Sequence, residues 1–348
     1  MGHYLITGAT GFLGRHVLTA LDAEGSHVVH ALVRNPAGWA SENWTGDLKG
    51  VALVAGGVTE TSWHDDGCLE NLDGIFHLAA VVRHTRENSE EVYETNVEGT
   101  LAMVRLAAKR KCRMVFVSTS GTVGVFGKPH EWADEHAPYQ EKRVKGWPYY
   151  DSKIQAEKKA RALAVELGVE LVIIRPPVLL GPGDHRFRST GHVVRHVMKR
   201  LPFLIQGGIH FVDIRDASQA LLEAMRTEGP QPVYHLSGTS CSIVAFFKMV
   251  ESASGVRGPR LRLPHSLAMA VAHGVKQIAT HVPGVKESPL PDPVVFEMAG
   301  CYWDVRSRYA ALELGFVNRE AQATIDDTVA WIAANHPDSP AVDLPLSA

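Results

Sequence analysis

Hydrophobic positions in the first half of the chain fall into two alternating patterns. Short continuous apolar runs predict strands, and longer stretches with a three-to-four-residue repeat predict helices. His3 to Thr7 reads as a strand and Gly11 to Ala23 as a helix. His27 to Val33, Val51 to Ala55 and Gly74 to Ala80 read as three more strands. A helix over Glu90 to Lys109, a strand over Met114 to Ser118, a long helix over Tyr149 to Leu167 and a sixth strand over Glu170 to Arg175 follow. Leu171-Val172-Ile173-Ile174 is apolar on both sides of the pleat, as a strand covered on both faces requires. The alternation predicts an α/β fold, a doubly wound parallel sheet.

Past Pro176-Pro177 the texture changes. Gly181-Pro182-Gly183-Asp184 reads as a loop, Gly191 to Lys199 as a helix and Phe211 to Ile214 as a short strand. Asp216 to Arg226 reads as a helix and Val233 to Leu236 as a strand, and from Ser242 the chain is mostly helix and proline-rich loop. We therefore expect residues 1–180 to form a dinucleotide-binding domain, with 208–240 returning to it. Residues 181–207 and 241–348 are expected to form a smaller C-terminal lobe for substrate.

The chemistry begins where the first strand meets the first helix. Gly8, Gly11 and Gly14 are spaced GxxGxxG, in Thr7-Gly8-Ala9-Thr10-Gly11-Phe12-Leu13-Gly14. Such glycines permit a tight turn, close approach to a pyrophosphate and close packing of helix on strand, with the helix N-terminus facing the phosphates. The second strand ends in Leu32-Val33-Arg34-Asn35, with no carboxylate for a ribose hydroxyl. Arg34 suits a 2′-phosphate, which favours NADP(H) and leaves NAD(H) open. Tyr149 and Lys153 share one helix face at i and i+4. The ammonium can lower the phenol pKa, making Tyr149 a general acid or base. Tyr150 would need a lysine at 154, which is Ile154. Ser118-Thr119-Ser120 closes the fifth strand, where a hydroxyl can stabilise charge on a substrate oxygen.

Composition narrows the alternatives. A net charge of -3 gives no case for nucleic acid or an anionic membrane surface. Cys68, Cys112, Cys241 and Cys301 form no CxxC pair and read as free thiols of a reducing compartment. No basic n-region or apolar h-region precedes the first strand, so a cytoplasmic protein is expected. The apolar stretch Leu267 to Val282 is broken by His273, Lys276, Gln277 and His281, so it predicts a packing or lid helix without membrane insertion. His192 and His196 have metal-like spacing but no third ligand, and no metal is expected. Phe126, His130 and Trp132, between Ser120 and Tyr149, read equally as substrate contacts or as packing.

These residues resemble an extended short-chain dehydrogenase/reductase of the NAD-dependent epimerase/dehydratase superfamily, which has a Rossmann fold. The likeness extends to His77-Leu78-Ala79-Ala80, Asn96-Val97-Glu98-Gly99-Thr100, Arg175-Pro176, Val212-Asp213-Ile214-Arg215-Asp216, Leu314-Gly315-Phe316 and Trp331. It implies that Ser120, Tyr149 and Lys153 are catalytic. It also implies a cofactor surface of Gly8, Thr10, Gly11, Phe12, Leu13, Gly14, Arg34, Val58, Leu78, Ala79, Ala80, Tyr149, Lys153, Pro176 and Leu179. Ala79 and Ala80 would line the nicotinamide ribose, and Pro176 to Leu179 the nicotinamide end.

Two departures matter. Gly56-Gly57-Val58 lacks the family's adenine-binding Asp, and Gly207-Gly208-Ile209-His210-Phe211 lacks the Arg that clamps a sugar diphosphate. The pattern is nearer the branch of dihydroflavonol reductases and 3β-hydroxysteroid dehydrogenases. The expectation is an oxidoreductase for a carbonyl or secondary alcohol of an apolar small molecule. Phe203, Leu204, Ile205, Phe211 and the run from Leu267 are expected to wall the pocket. A sugar or sugar-nucleotide epimerase or dehydratase is the alternative chemistry, and a non-catalytic NADP-sensing protein the alternative class. A homodimer stays open.

Overall fold

The computed structural model of the chain describes residues 2–39, 42, 44–46, 48, 50–281 and 290–338. Its main sheet contains β1 (His3–Thr7), β2 (Val28–Val33), β3 (Val51–Ala55), β4 (Gly74–His77), β5 (Arg113–Val117), β6 (Leu171–Arg175) and β7 (Val233–His235). The strand order is β7-β6-β5-β4-β1-β2-β3, and every neighbouring pair is parallel. The chain leaves β3 at one edge and resumes at β4 beside β1. This reversal opens a crevice at the carboxyl ends of β1 and β4, where such sheets bind ligands.

Adjacent residues of β1 show why the strands are apolar throughout. Leu5 and Ile6 are both fully buried but point to opposite faces. Ile6 joins a core with Val17, Leu18 and Leu21 of α1 (Phe12–Glu24). Leu5 joins one with Leu106 of α2 (Gly99–Arg110) and with Ala156 and Ala160 of α3 (Pro148–Leu167). Pro148 opens α3, where a missing N–H costs nothing, and Gly168 ends it at φ 68.

Two sequence expectations are revised. The single helix expected over Glu90 to Lys109 is a short α turn, Glu90–Tyr93, a π turn, Glu94–Glu98, and then α2. The wider turn carries Asn96, whose side chain is fully buried and hydrogen-bonded. Of the segment 208–240, only β7 rejoins the main sheet. Gly208–Asp213 pairs instead with Val178–Leu180 and Thr239–Ser242, because β6 already has a partner on each side. The helix α4 (Ile214–Arg226) does return, packing Leu221 and Leu222 into the core of α1.

The late segments build a second core around Phe211, Phe246, Val250, Ile325, Val329 and Ile332. Tyr302–Trp303 then pairs antiparallel with Val125–Phe126, bringing the late chain beside the loop that follows β5. His265–His281 is helical, with Ala268 and Ala272 buried and Leu267 exposed, while Val282 lies outside the described residues. Among the described residues no helix is long and apolar enough to cross a membrane.

Candidate active site

The glycine turn is shaped by close contact. Gly8 has φ +72, and a Cβ there would stand 2.7 Å from the Ala79 nitrogen. A Cβ on Gly14 would stand 2.2 Å from the Gly8 carbonyl oxygen. Gly11 caps α1 without a side chain, so no hydroxyl or carboxylate occupies the first N–H groups of the helix. The result is a backbone cradle that only glycine leaves open, aimed at the crevice. Thr10 and Phe12 flank it, half-buried, whereas Leu13 turns its side chain into the core.

The other expected cofactor positions lie along the strand ends. Leu78, Ala79 and Ala80 follow β4 and are half-buried. The Ala79 N–H donates to Thr7 Oγ1 at 3.2 Å, which locks the ends of β1 and β4 together. Thr7 and Thr100 hydroxyls engage the buried His77 ring, whose pKa falls to about 3 through burial and the charge of Lys153. Val58 packs over Gly99, where a Cβ would come within 2.7 Å of it. Arg34 is exposed at the end of β2 and makes no ion pair among the described residues. The nearby Arg15 is different: it is buried, paired with Glu42 at 2.9 Å and laid over Trp44.

The catalytic candidates converge from α3 and β5. Lys153 is buried, and its Nζ donates to the Val117 carbonyl at 2.8 Å. Burial brings its pKa down to about 7, against the opposing charge of Glu157. Tyr149 shows the reverse of the expected shift: burial pushes its phenol up to about 12. With its own pKa at about 7, Lys153 is uncharged where the phenol ionises, so desolvation decides the Tyr149 value. The Tyr149 hydroxyl has no hydrogen-bond partner among the described residues.

Ser118 and Ser120 are told apart by their partners. Ser118 Oγ donates to the fully buried Glu157 carboxylate. Glu157 also accepts from Tyr139 at 2.9 Å and from Arg175 Nε at 3.0 Å, while Arg175 Nη1 meets His235 at 3.0 Å. Burial alone would raise the Glu157 carboxyl, but the Arg175 guanidinium outweighs it and holds it below the usual carboxylate range. Ser118 is thus committed to a structural network. The Ser120 N–H donates to the Pro176 carbonyl at 2.9 Å, and its hydroxyl has no partner among the described residues. Pro176 is buried behind Ser120, and the Leu179 carbonyl is taken by the Ser189 hydroxyl at 2.6 Å.

The expected pocket wall is corrected. Phe211, Leu204 and Ile205 are buried inside the second lobe, and Phe203 packs against Phe296. The aromatic surface beside Tyr149 is instead Tyr150, 5.1 Å away between ring centroids, then Trp303, 5.3 Å beyond Tyr150, with Trp147 behind both. Trp132 is exposed, with Arg306 over its ring, and Phe126 pairs with Tyr302 across two short strands. His196 stacks on Phe247 and His192 lies against Phe246; among the described residues no cluster could hold a metal.

Asn96, Glu157 and His84 had no role assigned from sequence. Asn96 grips Val81 through both backbone groups and Ser152 Oγ at 3.0 Å, while Ser152 Oγ donates to the Tyr149 carbonyl. The available signal for Glu157 was a carboxylate one turn beyond Lys153 on the same helix face.

A family model described as the NAD dependent epimerase/dehydratase family matches residues 4–236. The chain belongs to this family. As an extended short-chain dehydrogenase/reductase it is an enzyme of the NAD(P)-dependent oxidoreductase class. It is 25% identical over 343 residues to a putative dihydroflavonol 4-reductase of Synechocystis sp., covering 96% of this chain and 95% of that protein. It is 28% identical over 279 residues to sterol demethylase protein B of Methylococcus capsulatus, covering 77% and 79%. A dihydroflavonol 4-reductase of Zea mays is 34% identical over 194 residues, covering 52% of this chain and 54% of the relative. Among solved structures, gox2253 superposes with TM-score 0.80 at 25% identity, over 97% of this chain and 99% of that one. A nucleoside-diphosphate-sugar epimerase from Pseudomonas aeruginosa superposes with TM-score 0.75 at 19% identity over 96% and 98%, which shows the shared fold alone.

Proposed function

We propose that this family member is an NADP(H)-dependent reductase of ketones or aldehydes on a largely apolar small molecule. The observation that carries the reading is the pair of unspent hydroxyls on Tyr149 and Ser120, at the end of the crevice that begins with the glycine cradle. When bound, the nicotinamide supplies hydride to the carbonyl carbon. Tyr149 gives its phenolic proton to the carbonyl oxygen, and Ser120 donates a hydrogen bond to that oxygen as charge develops. With its pKa pushed up to about 12 by burial, the Tyr149 phenol carries the proton it would donate at neutral pH. The cradle would hold the pyrophosphate and Arg34 the 2′-phosphate.

The relatives support a reductase, and several neighbours are recorded with NAD, among them MoeE5 in complex with UDP-glucose and NAD. This chain, however, carries no cation in the stretch Gly207 to Phe211 before Val212. His210 there is buried and accepts from the Gly238 N–H at 2.9 Å, so it offers no diphosphate clamp. Beside Tyr149, the aromatic wall suits rings or alkyl chains.

The test is Tyr149→Phe, read by NADPH absorbance against a panel of aromatic, alicyclic and long-chain carbonyls. Turnover should fall by about two to four orders of magnitude while cofactor affinity holds. Near-normal turnover in Tyr149→Phe would remove the acid from this mechanism. Micromolar binding of a UDP-sugar by calorimetry would replace the substrate class.

A further inference from the structure

The segment after Ala80 runs along the mouth of the site and is pinned on both sides. Val81 is held through its N–H and C=O by Asn96. Arg83 points outward, donating to the Asn88 carbonyl at 3.1 Å and pairing with Glu91. Thr85 Oγ1 donates to Asp292 at 3.1 Å, and Arg86 pairs with Glu297 at 2.7 Å, both reaching the second lobe. Between these anchors His84 turns inward. Its ring stands edge-on to Tyr149 with centroids 5.8 Å apart, and nearly parallel to Tyr150 at 6.1 Å.

His84 is half-buried, yet neither ring nitrogen has a hydrogen-bond or ion-pair partner among the described residues. Nor are those nitrogens sealed away from solvent among the orphaned buried atoms. Every other polar side chain from Arg83 to Arg86 is satisfied. An imidazole with an unpartnered donor and acceptor therefore stands beside the Tyr149 ring.

We propose that His84 is a specificity-determining residue, whose imidazole hydrogen-bonds a second oxygen of the substrate close to the carbonyl that Tyr149 protonates. This rests on the reading of Tyr149 as the acid. Because the two rings are neighbours, that second oxygen would lie near the reacting carbonyl, and the aromatic wall of Tyr150 and Trp303 would take the apolar body. The substrate class is then an apolar ring or chain bearing a hydroxy-ketone or a similar paired-oxygen group. A site built to bond a substrate hydroxyl rejects the analogue lacking it, because the site's polar group is left unpaired.

The probes are acetophenone and 2-hydroxyacetophenone, titrated calorimetrically into enzyme saturated with NADP+, so that no reduction occurs. Wild type should bind the hydroxy-ketone about tenfold more tightly, the scale of one satisfied hydrogen bond. His84→Phe keeps a ring against Tyr149 and Tyr150 but offers no polar atom, and the affinity ratio should fall to near one. His84→Gln restores a donor and an acceptor without the ring, and should retain most of the preference. A wild type that binds the two alike or binds neither overturns the inference. So does a His84→Phe variant with an unchanged ratio, which would make the ring mere packing. Turnover of Tyr149→Phe judges the acid separately: its survival would sink the reduction reading without altering these binding ratios.

Discussion

Replacing Glu157 by Gln tests what holds the catalytic loop in place. Glu157 is fully buried, and its carboxylate is the only negative partner of the buried Arg175 among the described residues. It accepts from four groups: two nitrogens of Arg175, Tyr139 and Ser118. Glutamine keeps the volume but removes the charge and turns one oxygen into a donor facing donors. Breaking a buried pair on one side costs about 3–5 kcal/mol, because the remaining charge is left uncompensated. For a chain of this size the melting temperature should fall on the order of 10 °C. Turnover should fall as well, since Ser120 lies two residues past the Ser118 anchor.

The assays are thermal melts followed by circular dichroism and steady-state reduction kinetics. The double variant Glu157→Gln with Arg175→Met removes both charges and should be more stable than Glu157→Gln alone. The pH dependence has a definite direction. Glu157 has a folded pKa below its unfolded value of about 4.3, so its contribution is complete above that value and is lost as pH falls through the folded one. Wild type and Glu157→Gln should therefore converge in stability in acid. A single variant that melts within about 1 °C of wild type, or a double variant whose costs simply add, would refute this account of the network.

Two further outcomes follow from cations at the crevice. Arg34→Ala should weaken NADPH by on the order of tenfold to a hundredfold and leave NADH nearly unchanged, by cofactor fluorescence titration; tighter NADH than NADPH binding in wild type would overturn the preference. Lys153→Met should abolish turnover yet raise the melting temperature of the apoenzyme at pH 6. With a folded pKa about 7 against about 10.4 unfolded, the lysine carries a cost that is full below the folded value and vanishes as pH rises to the unfolded one. The stabilisation should therefore fade towards pH 10, and a variant less stable than wild type at pH 6 would contradict it.

The sheet was legible because its code is local. A strand buried on both faces must be apolar at successive positions, and β1, β4 and β6 are. The glycine turn was legible for a similar reason: the contacts that exclude a Cβ at Gly8 and Gly14 come from the turn itself and the adjacent strand end. The pocket wall was not legible, because apolar residues read the same whether they face a ligand or a core. Phe211 satisfied the pattern and went to the core of the second lobe, while Trp303 reached Tyr150 through a strand pairing with Val125–Phe126 that no local repeat announces.

The two serines show where the limit lies for the chemistry. Ser118 and Ser120 close the same strand, and either hydroxyl satisfies the requirement at a carboxyl end. The family resemblance favours Ser120, but a resemblance is not a mechanism. The physical discriminator is occupancy: Ser118 donates to Glu157, and Glu157 is held there by Arg175 from β6. A hydroxyl already bonded to a buried carboxylate cannot also serve a substrate oxygen without leaving that charge short of a donor. Ser120, anchored through its backbone alone, to Pro176, Val123 and Gly124, carries no such penalty. The same reasoning separates His84 from its neighbours. Composition marks Arg83, His84, Thr85 and Arg86 as equally polar, and only their partners single out the one whose side chain has no hydrogen bond among the described residues.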